Sequence, residues 1–297
     1  MGTIGKPMAT RLLQSGFRLI VHDVNPVPVA DLVRQGAGSA SSPRQTAQES
    51  QVTILSLPSY REVETVVLGD GGVLQGLTPG KVLIDMTTSL PTVTRRIAPL
   101  ISGPGAHLLD APVSGGPGRA AKGELSIMVG GAEEIFQQAR PILETMGKHV
   151  VYTGGTGCGH ICKLVANLIA GVNMAVLAEG LLLGVRAGVD PQVLIQVVSG
   201  SSGQSRMCDD RAWRILEGSF EPAAGRVDIL YKDLITARTL AEEIRSPIPV
   251  GTLVAELYQV ARAMGRGEWD LAAIGTVYER MTGILVKDRA RAGLGAV

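Results

Sequence analysis

The residues Gly2-Thr3-Ile4-Gly5, followed by a run of helical periodicity from Pro7 through Leu12-Leu13 to Gly16, could hold a phosphate. Glycines at that spacing let a pyrophosphate approach the backbone, and the unpaired N–H groups of the following helix face the anion. Gly2-x-x-Gly5 supplies only the second and third glycines of a G-x-G-x-x-G turn, and no apolar strand precedes them. The next strand-like run, FRLIVHD, ends at Asp23, where a carboxylate would accept hydrogen bonds from adenosine ribose hydroxyls. Val24-Asn25 follow, with no Arg or Lys to receive a 2′-phosphate, so NAD is favoured as cofactor over NADP. Each half of this reading has a plainer rival: a glycine-rich cap for the turn, and for Asp23 a turn residue ahead of Asn25-Pro26.

The elements that must position these groups follow an alternating pattern. Short Val- and Ile-rich runs (FRLIVHD, QVTILSLP, KVLIDM, LLDAPV, LSIMVGG, HVVYTG) are separated by helix-like segments such as PVADLVRQG and EEIFQQARPILETMG. Such alternation means crossover units and a mostly parallel sheet, with ligands at the carboxyl ends of its strands. Leu57-Pro58, Thr87-Thr88 and Ser114-Gly115-Gly116 fall just after strand-like runs, as Asp23 does. The first strand of this sheet is missing. It would sit mid-sheet, and its loss removes two ladders of hydrogen bonds and much core. Two explanations stay open: a sequence recorded from an internal start, with Met1 between the first two glycines, or a truncation that weakens cofactor binding.

Beyond Gly154-Gly155-Thr156-Gly157 the texture turns helical, with apolar-periodic segments at 159–187, 191–199, 205–217, 228–245, 249–264 and 270–290. The first of these, at about 1.5 Å per residue, would be roughly 40 Å long, enough to cross between domains. The expected fold is an α/β Rossmann-type dinucleotide-binding domain (1–154) lacking its first strand, then an all-α domain (155–297), with the active site between them.

Of the 297 residues 45% are hydrophobic and 19% charged, a globular balance, and the net charge is +1 without a basic block. Nucleic acid and anionic membrane surfaces are therefore poor partners, and aromatics at 3% are too few for base stacking. Cys158, Cys162 and Cys208 form no disulfide framework, which points to a reducing cytoplasm. No signal peptide is evident. The most membrane-like stretch, 164–178, is shorter than a span needs and contains Asn167 and Asn173, so it reads as a buried helix.

DAPVSGG (110–116), GELSIMVGG, GCGHICKLVANL and DILYKDL occur in that order and together resemble the beta-hydroxyacid dehydrogenase family. That family includes 3-hydroxyisobutyrate dehydrogenase, tartronate semialdehyde (2-hydroxy-3-oxopropionate) reductase, and glyoxylate and succinic semialdehyde reductases. The resemblance spans essentially the whole chain. Its departures are the missing first strand and Ile4, where the family usually has Met.

The resemblance implies that Ser114, Gly115 and Gly116 bind a substrate carboxylate. A hydroxyl and freed N–H groups after a strand suit an anion, although a tight turn would choose the same glycines. It implies that Lys163 is catalytic, since a cationic lysine can stabilise a developing alkoxide and donate its proton. Asn167 lies at i+4 on the same face and would orient the lysine or bond the substrate hydroxyl. Lys232, in K-D-L, would lie near the nicotinamide end of the cofactor, or else form an ordinary surface ion pair with Asp233. Gly2, Thr3, Ile4, Gly5, Asp23, Leu57, Pro58 and Thr88 would contact the cofactor, and Asp270 aligns near the family's cleft.

No Cys/His cluster completes a zinc set, and His160 reads as a polar residue at a helix N-terminus. His22, His107 and His149 need no special role. The function implied is an oxidoreductase passing hydride between NAD(H) and a small carboxylate-bearing hydroxyacid or semialdehyde, most like tartronate semialdehyde reductase. 3-Hydroxyisobutyrate dehydrogenase and glyoxylate or succinic semialdehyde reductase are the alternatives. A homo-oligomer, dimer or tetramer, is expected from the apolar helical faces and the family. The reading from another class is a non-catalytic oligomerising module with impaired cofactor binding.

Overall fold

The computed structural model describes residues 1–288, and its first element is a helix, α1 (Gly5–Gln14), with no strand described before it. Met8, Ala9 and Leu12 form its buried side, the spacing a helix uses to seat one face on a sheet. Then follow β1 (Ile20–Val21), α2 (Pro26–Arg34), β2 (Gly38–Ser39), α3 (Pro43–Glu49), β3 (Val52–Leu55), α4 (Tyr60–Leu68), β4 (Val82–Asp85) and α5 (Pro91–Ser102). β5 (His107–Asp110), β6 (Val113–Ser114), α6 (Gly116–Lys122), β7 (Leu125–Gly131), α7 (Glu133–Met146) and β8 (Gly147–Gly154) complete the α/β part. Capping chemistry starts several of these helices. Asn25, Ser42 and Ser59 accept the N–H groups of Val27, Gln45 and Arg61, and Pro26 and Pro43 occupy first-turn positions where no N–H is needed.

The sheet is in two pieces. Among the described residues β1 pairs only with β2, in parallel, while a six-stranded sheet runs β3-β4-β5-β7-β6 with β8 on β7. β1 and β3 are not paired with each other among those residues. The expectation of a mostly parallel sheet holds for β3-β4-β5 and for β7-β8, but β7 runs antiparallel to β5 and β6. The reason is chain length. A parallel return needs a crossover of a dozen or more residues. The short α6 link between Ser114 and Leu125 does not provide one, whereas α7 does.

Two apolar clusters match the two sheet pieces. The larger packs Met8 and Leu12 with Ile84, Leu109, Ile127 and Val129 of the strands and with Phe136, Leu143 and Met146 of α7. The smaller gathers Ala9, Val21, Leu32 and Ala37. Leu19 is packed against both, so α1 and Leu19 hold the pieces together.

The chain divides into two compact units, Met1–Leu164 and Val165 onward. The second is helical: α8 (Cys158–Arg186) enters it, followed by α9 (Pro191–Ser199), α10 (Arg206–Glu217), α11 (Val227–Glu243), α12 (Pro249–Ala263) and α13 (Gly275–Thr282). Its core gathers Met174, Leu181 and Leu182 of α8 around Tyr258, Leu234 and Ile274. The helix expected over 270–290 is shorter. A 3-10 turn (Leu271–Ile274) leads into α13, which stops where Gly283 adopts φ +70; residues 289–290 of that span lie outside the described ones. α8 is also longer than the apolar stretch noted above, and at 29 residues it has the length and apolarity to cross a membrane. Its buried Met174, Ala178 and Leu181 instead line a core, the place of a central helix in a soluble protein.

Candidate active site

Gly5 begins α1 against the end of β3: a Cβ there would stand 3.3 Å from Ser56 Oγ. Gly2 has nothing within 4 Å of where a Cβ would be, so the backbone at the turn faces open space. Thr3 and Ile4 bridge them, and α1 has neither a side-chain cap nor an acidic residue in its first turn. These are the features a dinucleotide phosphate needs: close helix–strand packing, an uncovered backbone, and helix N–H groups free of a competing carboxylate. Asp23 follows β1. Its Oδ1 accepts Asn25 N–H at 2.8 Å and its Oδ2 pairs with the amino group of Met1. Burial raises this carboxyl's pKa, but the bonds from the amino group and Asn25 outweigh it and the net direction is down. Asp23 therefore both shapes the turn before α2 and carries charge at the end of β1.

The carboxyl ends of β3 and β4 are stitched together. Leu57 N–H donates to Thr87 Oγ1 at 3.1 Å, and Thr87 N–H to Asp85 Oδ1 at 3.0 Å. Pro58 is exposed and Thr88 half-buried beside this pair. After β6, Ser114 is followed by Gly115 at φ +137 and Gly116 at φ +73, conformations that a side chain rarely adopts. A Cβ on Gly115 would also press on Arg119 and Leu125 at 3.1–3.2 Å. Both glycines are required by this backbone whether or not it holds an anion.

Lys163 is 7% exposed in the second turn of α8, an unusual place for a lysine on a helix whose neighbouring Cys162 is exposed. Asn167, one turn on, donates from Nδ2 to Asp233 Oδ2 at 2.5 Å, and Lys232 Nζ lies 3.1 Å from Asp233 Oδ1. The two motifs GHICKLVANL and DILYKDL therefore meet at a buried carboxylate, Asp233, which sequence reasoning left as the mere companion of Lys232.

At the start of α8, ahead of Lys163 in the chain, lies a buried polar cluster that the sequence did not reveal. Asp85 and Asp110 are register partners at the ends of β4 and β5. His160, also fully buried, has Nδ1 2.8 Å from Thr94 Oγ1 and lies 3.8–3.9 Å from both carboxylates. Burial pushes the Asp85 carboxyl up to about 7, raises Asp110 as well, and pushes the His160 imidazole down to about 3. His160 stands in the first turn of α8, the helix N-terminus expected for it, and is fully buried there. Asp270 is likewise internal. Its carboxylate accepts the N–H groups of Ala224, Gly225 and Ala272 and lies 3.3 Å from Arg211, so it locks a loop of the helical unit. Among the described residues no group of three or more His, Cys, Asp or Glu is placed to hold a metal ion.

Residues 1–154 match the NAD-binding domain of 6-phosphogluconate dehydrogenase, and residues 157–278 match a family model described as NAD-binding of NADP-dependent 3-hydroxyisobutyrate dehydrogenase. The fold and the matches define an NAD(P)-dependent dehydrogenase. The 2-(hydroxymethyl)glutarate dehydrogenase of Eubacterium barkeri is 38% identical over 288 residues, 96% of this chain and 95% of that protein. The 3-hydroxyisobutyrate dehydrogenase of Pseudomonas aeruginosa is 38% identical across 88% of this chain and 89% of its own. The 2-hydroxy-3-oxopropionate reductase of Escherichia coli is 33% identical across 95% and 96%. A crystal structure of 3-hydroxyisobutyrate dehydrogenase from Salmonella typhimurium superposes with a TM-score of 0.80 at 30% identity, covering 93% of this chain and 96% of that one. The chain belongs to the 3-hydroxyisobutyrate dehydrogenase/tartronate semialdehyde reductase family.

Proposed function

We propose that the protein interconverts the primary alcohol and aldehyde of a small acid HOCH2–CH(R)–COO⁻, with 3-hydroxyisobutyrate-like acids (R an alkyl group) as the preferred class. The observation that carries this reading is a lysine buried on the same helix as Asn167, in a chain of this family. The acids named for the three relatives above share that skeleton and differ in R: carboxyethyl, methyl or hydroxyl. The two with an alkyl-type R belong to the relatives of higher identity, which favours 3-hydroxyisobutyrate over the tartronate semialdehyde reading preferred from motifs alone.

In this reading the nicotinamide cofactor supplies the hydride acceptor or donor when bound. Gly2, Thr3, Ile4 and Gly5 present backbone to its pyrophosphate, Asp23 its adenosine ribose, and Leu57, Pro58, Thr88 and Lys232 line the remainder. Ser114 Oγ and the N–H groups of Gly115 and Gly116 hold the substrate carboxylate. Lys163 Nζ takes the hydroxyl proton during oxidation and returns it to the alkoxide during reduction. Asn167, its amide fixed by Asp233, bonds the same hydroxyl. NAD is preferred over NADP because the Asp23 carboxylate disfavours a 2′-phosphate and the residues after it, Val24 and Asn25, carry no cationic side chain to receive one. The three thiols are free, which suits a reducing cytoplasm. Exposed Ile169, Val176 and Leu183 repeat every seven residues along α8, and we infer that this stripe is covered in a homo-oligomer.

Steady-state rates with 3-hydroxyisobutyrate, glycerate, serine and 2-(hydroxymethyl)glutarate, each with NAD and NADP, test this reading. A kcat/KM highest for 3-hydroxyisobutyrate with NAD is expected. A higher value for glycerate would return the assignment to tartronate semialdehyde reductase.

A further inference from the structure

Asp110 Oδ1 accepts Gly157 N–H at 2.7 Å and its Oδ2 accepts His160 N–H at 3.0 Å, while its own side chain is fully buried. Both donors lie at the start of α8, so a residue 50 positions upstream caps the helix that carries Lys163. Asp110 also ends β5, four residues before Ser114. The fit is tight enough to exclude side chains: a Cβ on Gly130 would lie 2.7 Å from Asp110 Oδ1, and one on Gly159 2.5 Å from Asp110 O and 2.4 Å from Met128 O. Gly157 turns into the helix at φ +89. His160, its ring bonded to Thr94, has Nδ1 3.9 Å from Asp110 Oδ2.

We propose that Asp110 is a positioning residue that fixes the distance between the Ser114–Gly116 loop and Lys163, both in the first unit. The inference rests on the function proposed above. A rigid two-point bond from the strand end to the helix start leaves neither the loop nor the lysine free to shift alone. A substrate held by its carboxylate then presents its β-carbon hydroxyl to Lys163 in register, whereas an alcohol without a carboxylate gains nothing from the link. Asp110 touches neither substrate nor cofactor in this scheme.

Asp110→Asn tests it, since the amide keeps the shape but turns an NH2 toward one N–H; Asp110→Ser serves if that variant does not fold. Three measurements are made on each: NADH affinity by fluorescence, kcat and KM for 3-hydroxyisobutyrate against isobutanol, and amide exchange over 157–163. The expected result is a fall of about 100-fold in kcat for the hydroxyacid, the scale of a small misplacement of reacting groups. NADH affinity and the isobutanol rate should change little, and exchange over 157–163 should quicken relative to β7. Equal losses on the two alcohols, or an unchanged kcat, would overturn the link. If the unaltered protein turns over no 3-hydroxyacid, the functional reading fails. Amide exchange then decides the link alone: unchanged exchange in Asp110→Asn overturns it, and quickened exchange upholds Asp110 as the anchor of the helix.

Discussion

Lys163 is the residue on which the chemistry is staked, and its burial gives the stake a physical basis. A lysine that merely dressed a helix surface would extend into water, as long charged side chains do. Replacing it with methionine preserves length and apolar packing while removing the proton donor proposed above. Lys163→Met should lower kcat by about 10²–10⁴-fold, the usual worth of a placed acid–base group, with NADH affinity little altered. Stopped-flow hydride transfer beside a fluorescence titration checks both halves. Asp23 carries the second prediction at this scale. The double change Asp23→Ser and Val24→Arg removes a charge that would repel a 2′-phosphate and adds one that would attract it, at a position 96% exposed. NADPH affinity should rise and NADH affinity fall, read in the same titration. Lys163 and Ser114 were singled out through motifs that resemble the family's, and the two N-terminal glycines through their spacing ahead of a helix. Asp110, Asp85 and Asp233 were not. Their partners are backbone N–H groups, an imidazole or an amide tens of residues away, and an acid at a strand end looks like any turn former until those partners are in place.

At the scale of elements, the junction of β4, β5 and α8 holds an acid and an imidazole whose pKa shifts oppose each other. The Asp85 carboxyl rises from 3.8 to about 7, so the folded state binds extra proton across that window and the contribution weakens stability as pH rises through it. The His160 imidazole falls from 6.5 to about 3, so the unfolded state binds extra proton there and stability rises with pH. Across the shared range, about 4 to about 6.5, the two cancel: folding moves one proton from imidazole to carboxylate. Relative to the parent protein, Asp85→Asn should gain stability as pH rises from about 4 to about 7, because one of the two raised carboxyls that oppose the histidine arm is gone while Asp110 remains. His160→Gln should expose the carboxylate arm, with stability falling between pH 4 and 7. Urea midpoints across pH decide it; parallel profiles for the two variants would refute the pairing. The elements themselves were mostly readable, since alternation of β-branched runs and amphipathic segments marks crossover units. What alternation does not encode is strand direction. The turn to antiparallel at β7 follows from the brevity of α6, and the early end of α13 from one glycine, Gly283.

At the scale of the whole molecule, the proposed homo-oligomer makes its own demand. Ile169→Lys with Leu183→Glu places charge on the exposed stripe of α8 without touching the buried Met174 or Leu181. Light scattering after size exclusion should then show a smaller species than the parent protein, and an unchanged mass would assign the stripe no such role.

The close fit around Asp110 has a consequence for what the sequence tolerates. Gly159 approaches Met128 O and Asp110 O so closely that even one added methyl group would stand 2.4 and 2.5 Å from them. Gly159→Ala should therefore wedge the start of α8 away from β7 and the end of β5, and a urea midpoint below that of the parent protein is expected. An unchanged midpoint would mean that the backbone yields there at no cost.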